Sequence, residues 1–524
     1  MRRSRARYKS FLYLIAFIIL WSLLLRIPYF FHTLQDVDEG MHAANAVTLM
    51  NGGTIYVDAV ADNKPPGIYF IYYITFLLFG AYNMVAIHAI TYLCTLTTAL
   101  ILGFLAYKMI GKSAALLALT FYMTFTAALY PKMLAANTEI FMALPYAMAA
   151  LLLWCAVAKE KGYIFFLSGI AAGIATLIKQ VGGAAYAAFL IYFILLPLID
   201  NKRKWFSSIK ACVWFSTGFF FPITMLGLLF YRQGILPDAI FWTITQPFKY
   251  IGHGAANLSF WSQILEEFIP FIFSMPFLWI FTFLWIKRAS IPWYNKETSG
   301  FSFFLVLWLI VSIAATFIGK RMYGHYFIQI LPPLCLIAAL GASEHFSNER
   351  GFRSSKYWSV ATLVLTLLAG IIFTGMAIFF EAATDTWGKL EPDFRPAVEY
   401  IRKHTEPMDK IFVWGWFSPV YVYSERAAAT RFTATFMLVE YNQGNDLDEE
   451  DRSDRTWTYI PEAWPMLEAD MKRNKPTLII DTSPGDYHNF GRYPLKDYPV
   501  ISDYVNENCR IETRIAGMDI YRCI

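Results

Sequence analysis

Long apolar segments recur along the chain from Phe11 to Phe380, and short polar connections separate them. Segments of about 20 apolar residues are long enough to cross roughly 30 Å of hydrocarbon as helices. The pattern predicts eleven transmembrane helices, at residues 11–31, 84–107, 114–130, 140–158, 163–179, 181–198, 210–230, 262–286, 301–318, 326–343 and 358–380. After residue 380 charged residues, prolines and turn residues return, which predicts a membrane module (1–380) followed by a soluble domain (381–524).

Composition agrees with a polytopic α-helical membrane protein, because 57% of the 524 residues are hydrophobic and only 16% are charged. The net charge of +5 comes mostly from short loops. Since no basic stripe is interleaved with exposed aromatic residues, we do not expect a nucleic acid partner. Transmembrane helices and interfacial belts account for the 18% aromatic content.

The basic connections lie at residues 1–9, 108–112, 159–161, 202–204, 287–288 and 350–356. The eleven predicted helices place all of these loops on one side of the membrane, which the positive-inside rule makes the cytoplasm. The soluble domain then lies outside, in the periplasm of a bacterial inner-membrane protein.

Two segments of the first external region predict interfacial helices. Residues 67–80 are apolar but, at about 14 residues, too short for a crossing. Counting them as a span would put the basic residues 202–204 outside the cell. Residues 38–50 predict a second interfacial helix, which Asp36 or Asp38 could cap and which the glycine pair 52–53 would end.

Charged and polar residues of the external helix ends and loops gather on one side in this topology. Such residues are costly at a membrane unless they have a partner or a function, so they predict a site on the external face. They are Asp38, Glu39, Asp62, Lys64, Glu139, Lys179, Lys320, Arg321 and His325.

Asp38, Glu39 and Lys64 are the strongest candidates for chemistry. A carboxylate at the membrane surface can take a proton from an acceptor hydroxyl, and a lysine can hold a lipid-linked phosphate. The structural alternatives are helix capping by the two acids, and a rigid turn with a snorkelling lysine. Because Pro65 and Pro66 stiffen the chain, they can aim Lys64 in a fixed direction.

Later polar residues leave more alternatives open. Glu139 could cap its helix, or it could face the acceptor or a metal. Lys179 could mark a turn or meet the donor phosphate. Asp62 and Tyr326 are further candidates for contacts with the acceptor or a metal.

Lys320, Arg321 and His325 stand together before the tenth predicted helix. Basic residues on the side that the positive-inside rule disfavours indicate an anionic partner, here a phosphate or sugar. A divalent metal held by Asp38, Glu39 and Glu139 is possible, but the spacing does not require one, and no other cofactor is expected.

The soluble domain is predicted to be mixed α/β. Its helices are expected at residues 392–404 and 462–473, its strands at 410–415 and 477–481, and a hairpin at 510–523. The hairpin would bring Cys509 near Cys523, as a disulfide bond or as two reduced cysteines.

These motifs resemble those of GT-C glycosyltransferases, in the branch of the lipid A aminoarabinose transferases and protein O-mannosyltransferases. The resemblance covers roughly residues 1–345. It rests on Asp38-Glu39-x-x-His42-Ala, Lys64-Pro65-Pro66, Glu139, the segment 173–179, and His325-Tyr326 leading into Leu331-Pro332-Pro333.

The resemblance implies a GT-C fold, a site facing away from the cytoplasm and a sugar donor on polyprenyl phosphate. It implies that Asp38 is the catalytic carboxylate and that Lys64 contacts the carrier phosphate. The chain departs from the family at His42, where many relatives have tyrosine, and in its C-terminal domain. The departures leave the hydroxyl acceptor, whether lipid, glycan or protein, open.

The function expected is therefore that of a hexosyl- or pentosyltransferase acting at the outer face of the membrane. A lipid-linked oligosaccharide ligase or polymerase is the alternative of the same kind. A transporter or flippase with a periplasmic cap is the alternative of another kind. Transporters place charges near the middle of the bilayer on broken helices, whereas these charges sit at the outer edge, which favours surface chemistry.

Overall fold

The computed structural model describes residues 2–30, 33–60, 63–128, 134–199, 204–253, 261, 264–289, 299–318, 323–348, 352–384, 393–439 and 459–524. Three of the predicted site residues, Asp62, Lys320 and Arg321, lie outside these ranges. The chain divides into two compact units. The first unit comprises Met1–Phe31, His88–Leu229 and Asn257–Ile378, and the second comprises His32–Ile87, Phe230–Ala256 and Phe379–Ile524. The predicted domain boundary at residue 380 stays a prediction.

Helices account for almost all of the first unit. They are Arg2–Leu24, Ile27–Phe30, Met84–Met109 (which begins in the second unit), Lys112–Phe125, Thr138–Lys159, Gly162–Ile178, Gly183–Ile199, Trp205–Gln233 (which ends in the second unit), Ile269–Ser274, Pro276–Ala289, Ser299–Phe317, Leu331–Asn348 and Phe352–Thr384 (which also ends in the second unit). Short 3-10 helices occupy Gln180–Gly182 and Gly324–Ile330, and a π-helix occupies Ile264–Phe268.

Each predicted transmembrane segment falls on one or more of these helices, but the count of eleven is not confirmed. In the part of the chain that the structure describes, six helices are long and apolar enough to span a membrane. A bent pair, Ile264–Ser274 and Pro276–Arg288, which turns by 78°, makes a seventh if it is one span. Other apolar helices, among them Lys112–Phe125 and Gly162–Ile178, have 10–17 residues. At about 1.5 Å per residue such helices fall short of the hydrocarbon thickness.

Glycines let two helices of the first unit approach at their backbones. A Cβ atom at Gly169 would collide with the carbonyl oxygen of Phe215, and one at Gly218 with that of Phe166. Small residues at such crossings allow the close van der Waals contact on which helix association in membranes depends. The glycines therefore allow the helices Gly162–Ile178 and Trp205–Gln233 to pack closely at this crossing.

The second unit contains a five-stranded sheet and the remaining helices. The strands are β1 (Lys410–Trp414), β2 (Ala427–Ala428), β3 (Leu478–Asp481), β4 (Cys509–Ile515) and β5 (Met518–Cys523), in the spatial order β2-β1-β3-β5-β4. Its helices are Val37–Met50, Gly67–Phe79, Leu236–Ile240, Phe241–Thr245 (a π-helix), Gln246–His253, Arg395–His404, Pro419–Ser424, Ala463–Asn474 and Pro499–Asn508, with short 3-10 turns at Phe436–Leu438, Ser483–Gly485, Tyr487–Asn489 and Leu495–Asp497.

Strands β2, β1 and β3 are parallel, whereas β5 pairs antiparallel with β3 and β4. The parallel strands are mostly apolar and buried, as expected for strands covered on both faces. Both predicted strands and the hairpin are present, and Cys509 is joined to Cys523 by a disulfide bond. Of the two alternatives for these cysteines, the structure has the oxidised one.

The core of the sheet contains a residue from a distant part of the chain. Ala44 of the helix Val37–Met50 is buried among the same side chains as Val413 and Ile480. Both segments predicted as interfacial helices are helical, at Val37–Met50 and Gly67–Phe79, and their interfacial position stays a prediction. The helix that carries Asp38 and Glu39 therefore folds onto the C-terminal α/β layer.

Candidate functional site

The helix Val37–Met50, called the site helix below, begins with three acidic residues. Asp36 is its N-cap and accepts a hydrogen bond from the backbone N–H of Asp38 at 3.5 Å. Glu39 is fully buried, and its Oε2 accepts from the backbone N–H of Gln35 at 2.7 Å. The two side chains thus satisfy backbone donors at the helix start, much as in a capping box. This is the structural role that the sequence left open for the acids.

Asp38 differs from its two acidic neighbours because its side chain is partly exposed. It stands in the first turn of the site helix, where the helix dipole favours the ionised carboxylate. Of the three acids, Asp38 is therefore the one that a substrate can approach. A carboxylate that is both ionised and accessible can accept a proton from a substrate hydroxyl.

His42 of the site helix packs against Tyr72 of a neighbouring helix. Tyr72 is fully buried in the helix Gly67–Phe79, and its ring meets the His42 ring edge-on at 5.5 Å between centroids. Burial, then the negative charges of Glu39, Asp38 and Asp36, raise the pKa of the Tyr72 hydroxyl well above its usual value. A hydroxyl that stays protonated beside carboxylates is a hydrogen-bond donor. The sequence analysis missed Tyr72, although Tyr69, Tyr72 and Phe76 recur at the spacing of a single helix face.

Lys64 lies directly before the two prolines that open the helix Gly67–Phe79, and its side chain is buried, with 9% exposed. Its carbonyl oxygen accepts a hydrogen bond from the hydroxyl of Tyr56 at 3.1 Å. Tyr56 is itself fully buried and meets Tyr69 edge-on at 6.0 Å. The backbone of Lys64 is thus held from both sides, by a buried tyrosine before it and by the prolines after it.

A second polar cluster lies in the first unit, around Glu139. This carboxylate is 1% exposed and stands in the first turn of the helix Thr138–Lys159. Its Oε1 pairs with the ammonium of Lys179, the residue that ends the helix Gly162–Ile178, and its Oε2 accepts from the hydroxyl of Thr138 at 2.9 Å. A buried charge needs a partner of opposite charge, so the ion pair explains how Glu139 can be buried and Lys179 largely buried.

His325 and Tyr326 complete this cluster from the 3-10 helix Gly324–Ile330. Nε2 of His325 lies 3.8 Å from Oε1 of Glu139. The Lys179 ammonium lies 3.8 Å from the centroid of the Tyr326 ring, which is the geometry of a cation–π contact. Four residues predicted as separate candidates on three elements therefore come together. Whether they contact a donor or an acceptor stays a prediction.

Metal binding receives no geometric support from the described residues. Among them, no three His, Cys, Asp or Glu side chains converge as a metal ion requires. The proposed ligand Glu139 faces the positive charge of Lys179 instead. A divalent metal therefore stays a possibility raised by the sequence.

Comparison with known proteins identifies the fold. The family model for dolichyl-phosphate-mannose-protein mannosyltransferase matches residues 63–226. The structure is similar to that of ArnT from Cupriavidus metallidurans bound to undecaprenyl phosphate, with a TM-score of 0.59, 14% identity and coverage of 98% of each chain. It is also similar to the archaeal oligosaccharyltransferase AglB from Archaeoglobus fulgidus in complex with an inhibitory peptide and a dolichol-phosphate. There the TM-score is 0.53 at 13% identity, over 99% of this chain and 74% of the other. No curated protein matches the sequence.

These likenesses confirm the predicted resemblance to the GT-C superfamily. The chain has the fold of these membrane proteins, and what it resembles includes the model of a mannosyltransferase family, over residues 63–226, and the structure of an oligosaccharyltransferase. At these identities the structural matches concern the fold alone.

Proposed function

We propose that the protein is a membrane glycosyltransferase that moves a sugar from a polyprenyl-phosphate carrier to a hydroxyl acceptor. The observation that carries this proposal is the pairing, in one compact unit, of a partly exposed Asp38 with a buried, rigidly held Lys64. Support comes from the two structural neighbours, which were solved with undecaprenyl phosphate and with a dolichol-phosphate.

The proposed reaction inverts the configuration of the sugar. Asp38 takes the proton of the acceptor hydroxyl while the hydroxyl oxygen forms a bond to the anomeric carbon. The bond from that carbon to the phosphate oxygen breaks, and both of its electrons leave with the polyprenyl phosphate. Lys64 stabilises the negative charge that develops on this phosphate. The products are the glycosylated acceptor, the polyprenyl phosphate and a proton on Asp38.

Glu39 receives a different role in this proposal from the catalytic one that the sequence suggested. Its carboxylate is fully buried and bonded to the backbone of Gln35. A base that must meet a substrate hydroxyl needs access, so we assign the proton transfer to Asp38 alone. Glu39 then positions the start of the site helix.

We further propose that the site and the α/β layer are extracytoplasmic, on the outer face of the bacterial inner membrane. Ala44 of the site helix shares a core with the C-terminal sheet. This shared core supports the proposal that the site helix and the sheet lie on the same side of the membrane. The test is labelling from outside intact cells of single cysteines at Gly485 and at Lys204, in a chain without other free cysteines. We expect label at Gly485 only, and label at Lys204 only would refute this topology.

Transfer itself is tested with purified protein and synthetic short-chain polyprenyl-phosphate sugars. We expect polyprenyl phosphate to be released only when an acceptor extracted from the envelope is present. Mass spectrometry of envelope glycolipids and glycoproteins from a deletion strain would identify that acceptor.

The fold of AglB, an oligosaccharyltransferase, makes transfer of a preassembled oligosaccharide the second candidate. Oligosaccharide donors on the same carriers form the parallel arm of the assay. If only these donors react, the ligase alternative replaces the monosaccharide transferase. If neither class reacts and vesicles containing the protein move a labelled carrier lipid, the flippase alternative replaces both.

A further inference from the structure

Residues of the C-terminal α/β layer of the second unit form hydrogen bonds with the site helix and with the loop that leads to Lys64. Ser418 donates a hydrogen bond through its hydroxyl to the carbonyl oxygen of Val37 at 2.6 Å. Gly40 lies against the same serine, and a Cβ atom there would stand 2.5 Å from the Ser418 hydroxyl oxygen. The first turn of the site helix, which carries Asp38, is thus in direct backbone contact with the residue that precedes the helix Pro419–Ser424.

One turn further along, a buried amide ties the site helix to another segment of the layer. Nδ2 of Asn45 donates to the carbonyl of Met41 at 2.7 Å and to the hydroxyl of Thr433 at 2.9 Å. Asn45 is fully buried and Thr433 is 1% exposed. A polar pair in such surroundings fixes register, because any other arrangement would leave a buried group without a hydrogen bond.

The same segment holds the loop between the site helix and Lys64. The backbone N–H of Val60 donates to the carbonyl of Arg431 at 3.0 Å, and Val60 forms a parallel bridge with Phe432. Residues 431–433, called the clamp segment below, therefore bind both the helix that carries Asp38 and the loop that carries Lys64.

A buried carboxylate fixes the clamp segment. Asp470 is 1% exposed and accepts two hydrogen bonds from the Arg431 guanidinium, at 2.8 and 2.9 Å, and a third from the Arg431 backbone N–H at 3.0 Å. Arg473 adds a bond to Asp470 at 3.0 Å and another, at 2.6 Å, to Asp58 in the loop before Lys64. Bidentate arginine–carboxylate pairs are among the strongest and most directional contacts in proteins.

We infer that Asp470, acting through Arg431 and the clamp segment, is a positioning residue that sets the distance between the base Asp38 and the phosphate-binding Lys64. This inference rests on the proposed function. A transfer reaction needs the base and the leaving group to be held within a fraction of an ångström, and a displacement of about 1 Å can lower the rate on the order of 100-fold. The α/β layer thereby contributes to turnover although its residues touch no reacting atom.

The test is Asp470→Asn, with Glu468→Gln as the matched control. Glu468 lies on the same helix, Ala463–Asn474, but it is half exposed, and its ion pair among the described residues is with Lys472 of its own helix. Both substitutions remove one carboxylate from an ion pair. Thr433→Val is a milder second variant, which removes only the acceptor of Asn45.

Two readouts separate positioning from general destabilisation. By hydrogen exchange, we expect Asp470→Asn and Thr433→Val to speed exchange at the amides of the site helix and at Val60, while the helices of the first unit exchange as before. By kinetics, we expect kcat to fall about 10- to 100-fold with a smaller change in KM, because substrate contacts remain while alignment is lost. Glu468→Gln should change neither.

Unchanged exchange in the site helix of both variants would refute the positioning role, as would faster exchange throughout the chain. Since hydrogen exchange needs no substrate, this arm gives an answer even if the protein proves not to transfer sugars. Faster exchange confined to the site helix and Val60, with unchanged kcat, would also refute the inference, because the alignment would then be irrelevant to turnover.

Discussion

Two carboxylates of this protein, Glu139 in the first unit and Asp38 in the second, occupy opposite environments. Glu139 is buried against the Lys179 ammonium, with His325 3.8 Å away and a hydroxyl on its second oxygen. Asp38 is partly exposed at the start of a helix whose other acids cap the backbone. A carboxylate that is buried against a cation cannot reach an acceptor hydroxyl, whereas a partly exposed carboxylate can. Their environments thus separate a structural carboxylate from the proposed base.

The largest effect that would test this comparison is expected at Asp38. Asp38→Asn should lower transfer about 10²- to 10⁴-fold, the usual consequence of losing a general base, with little change in melting temperature. Transfer by purified protein and thermal melting in detergent measure the two. Near-normal turnover of the Asn variant would remove Asp38 from its proposed role. Glu39→Gln serves as the control and should act mainly on stability.

At Glu139 we expect a substitution to lower stability. Glu139→Gln leaves the Lys179 ammonium buried without its counter-charge, which commonly costs about 3–5 kcal/mol of stability. The double variant Glu139→Gln with Lys179→Met should recover most of this loss, because replacing both partners removes the unpaired charge. Melting of the single and double variants in detergent is the measurement. If the single variant melts like the parent, the pair is not structural and the comparison fails.

A smaller effect is expected at Lys64, on the binding of the carrier phosphate. Lys64→Met should weaken product inhibition by short-chain polyprenyl phosphate about 10- to 100-fold, as expected when a charged hydrogen bond to phosphate is lost. Lys64→Arg should retain part of the inhibition, since it keeps the charge but changes its geometry. Equal inhibition of all three proteins would make Lys64 a structural residue and would favour Lys179 or the Lys320-Arg321 pair.

The smallest effect concerns a third carboxylate, Asp481 at the end of β3. Burial raises the pKa of this group to about 6, from 3.8. The folded state therefore binds its proton more tightly than the unfolded state, so this contribution to stability is full below about pH 4 and is lost as the pH rises through 6. The expected change is roughly 2–3 kcal/mol, which is a small shift in melting temperature for a chain of this length.

In the Asp481→Asn variant the side chain at this position cannot ionise. The melting temperature of the variant should therefore fall less than that of the parent between about pH 4 and pH 7. Only the difference between the two curves is informative, because other acids titrate in both proteins. Parallel curves would show that Asp481 does not carry this dependence.

The sequence predicted local structure better than it predicted long-range partners. The site helix, its cap at Asp36, the helix after Pro66 and the C-terminal hairpin follow from periodicity, capping and turn residues, all of which are local signals. The short strand β2 and the helices Pro419–Ser424 and Pro499–Asn508 were missed because short elements carry weak periodic signals.

The number of spans could not be fixed in the same way, because length alone does not tell a short crossing helix from an interfacial one. For the site, residue types at helix ends that were predicted to be external identified Glu139, Lys179, His325 and Tyr326 individually. That these four meet around one carboxylate depends on packing that a single sequence does not reveal. The pairs Asp470–Arg431 and Arg473–Asp58 were invisible for the same reason, since the partners in each pair are far apart along the chain.

The shared core of Ala44 and Ile520 has a consequence for how the protein is made. The site helix leaves the ribosome several hundred residues before β5, which packs into the same core. At about 5–20 residues per second, the helix waits on the order of half a minute or more for its partner. During that interval the core around Ala44 is incomplete, so a nascent chain that stalls or is truncated before β5 would present part of this apolar core to proteases and chaperones.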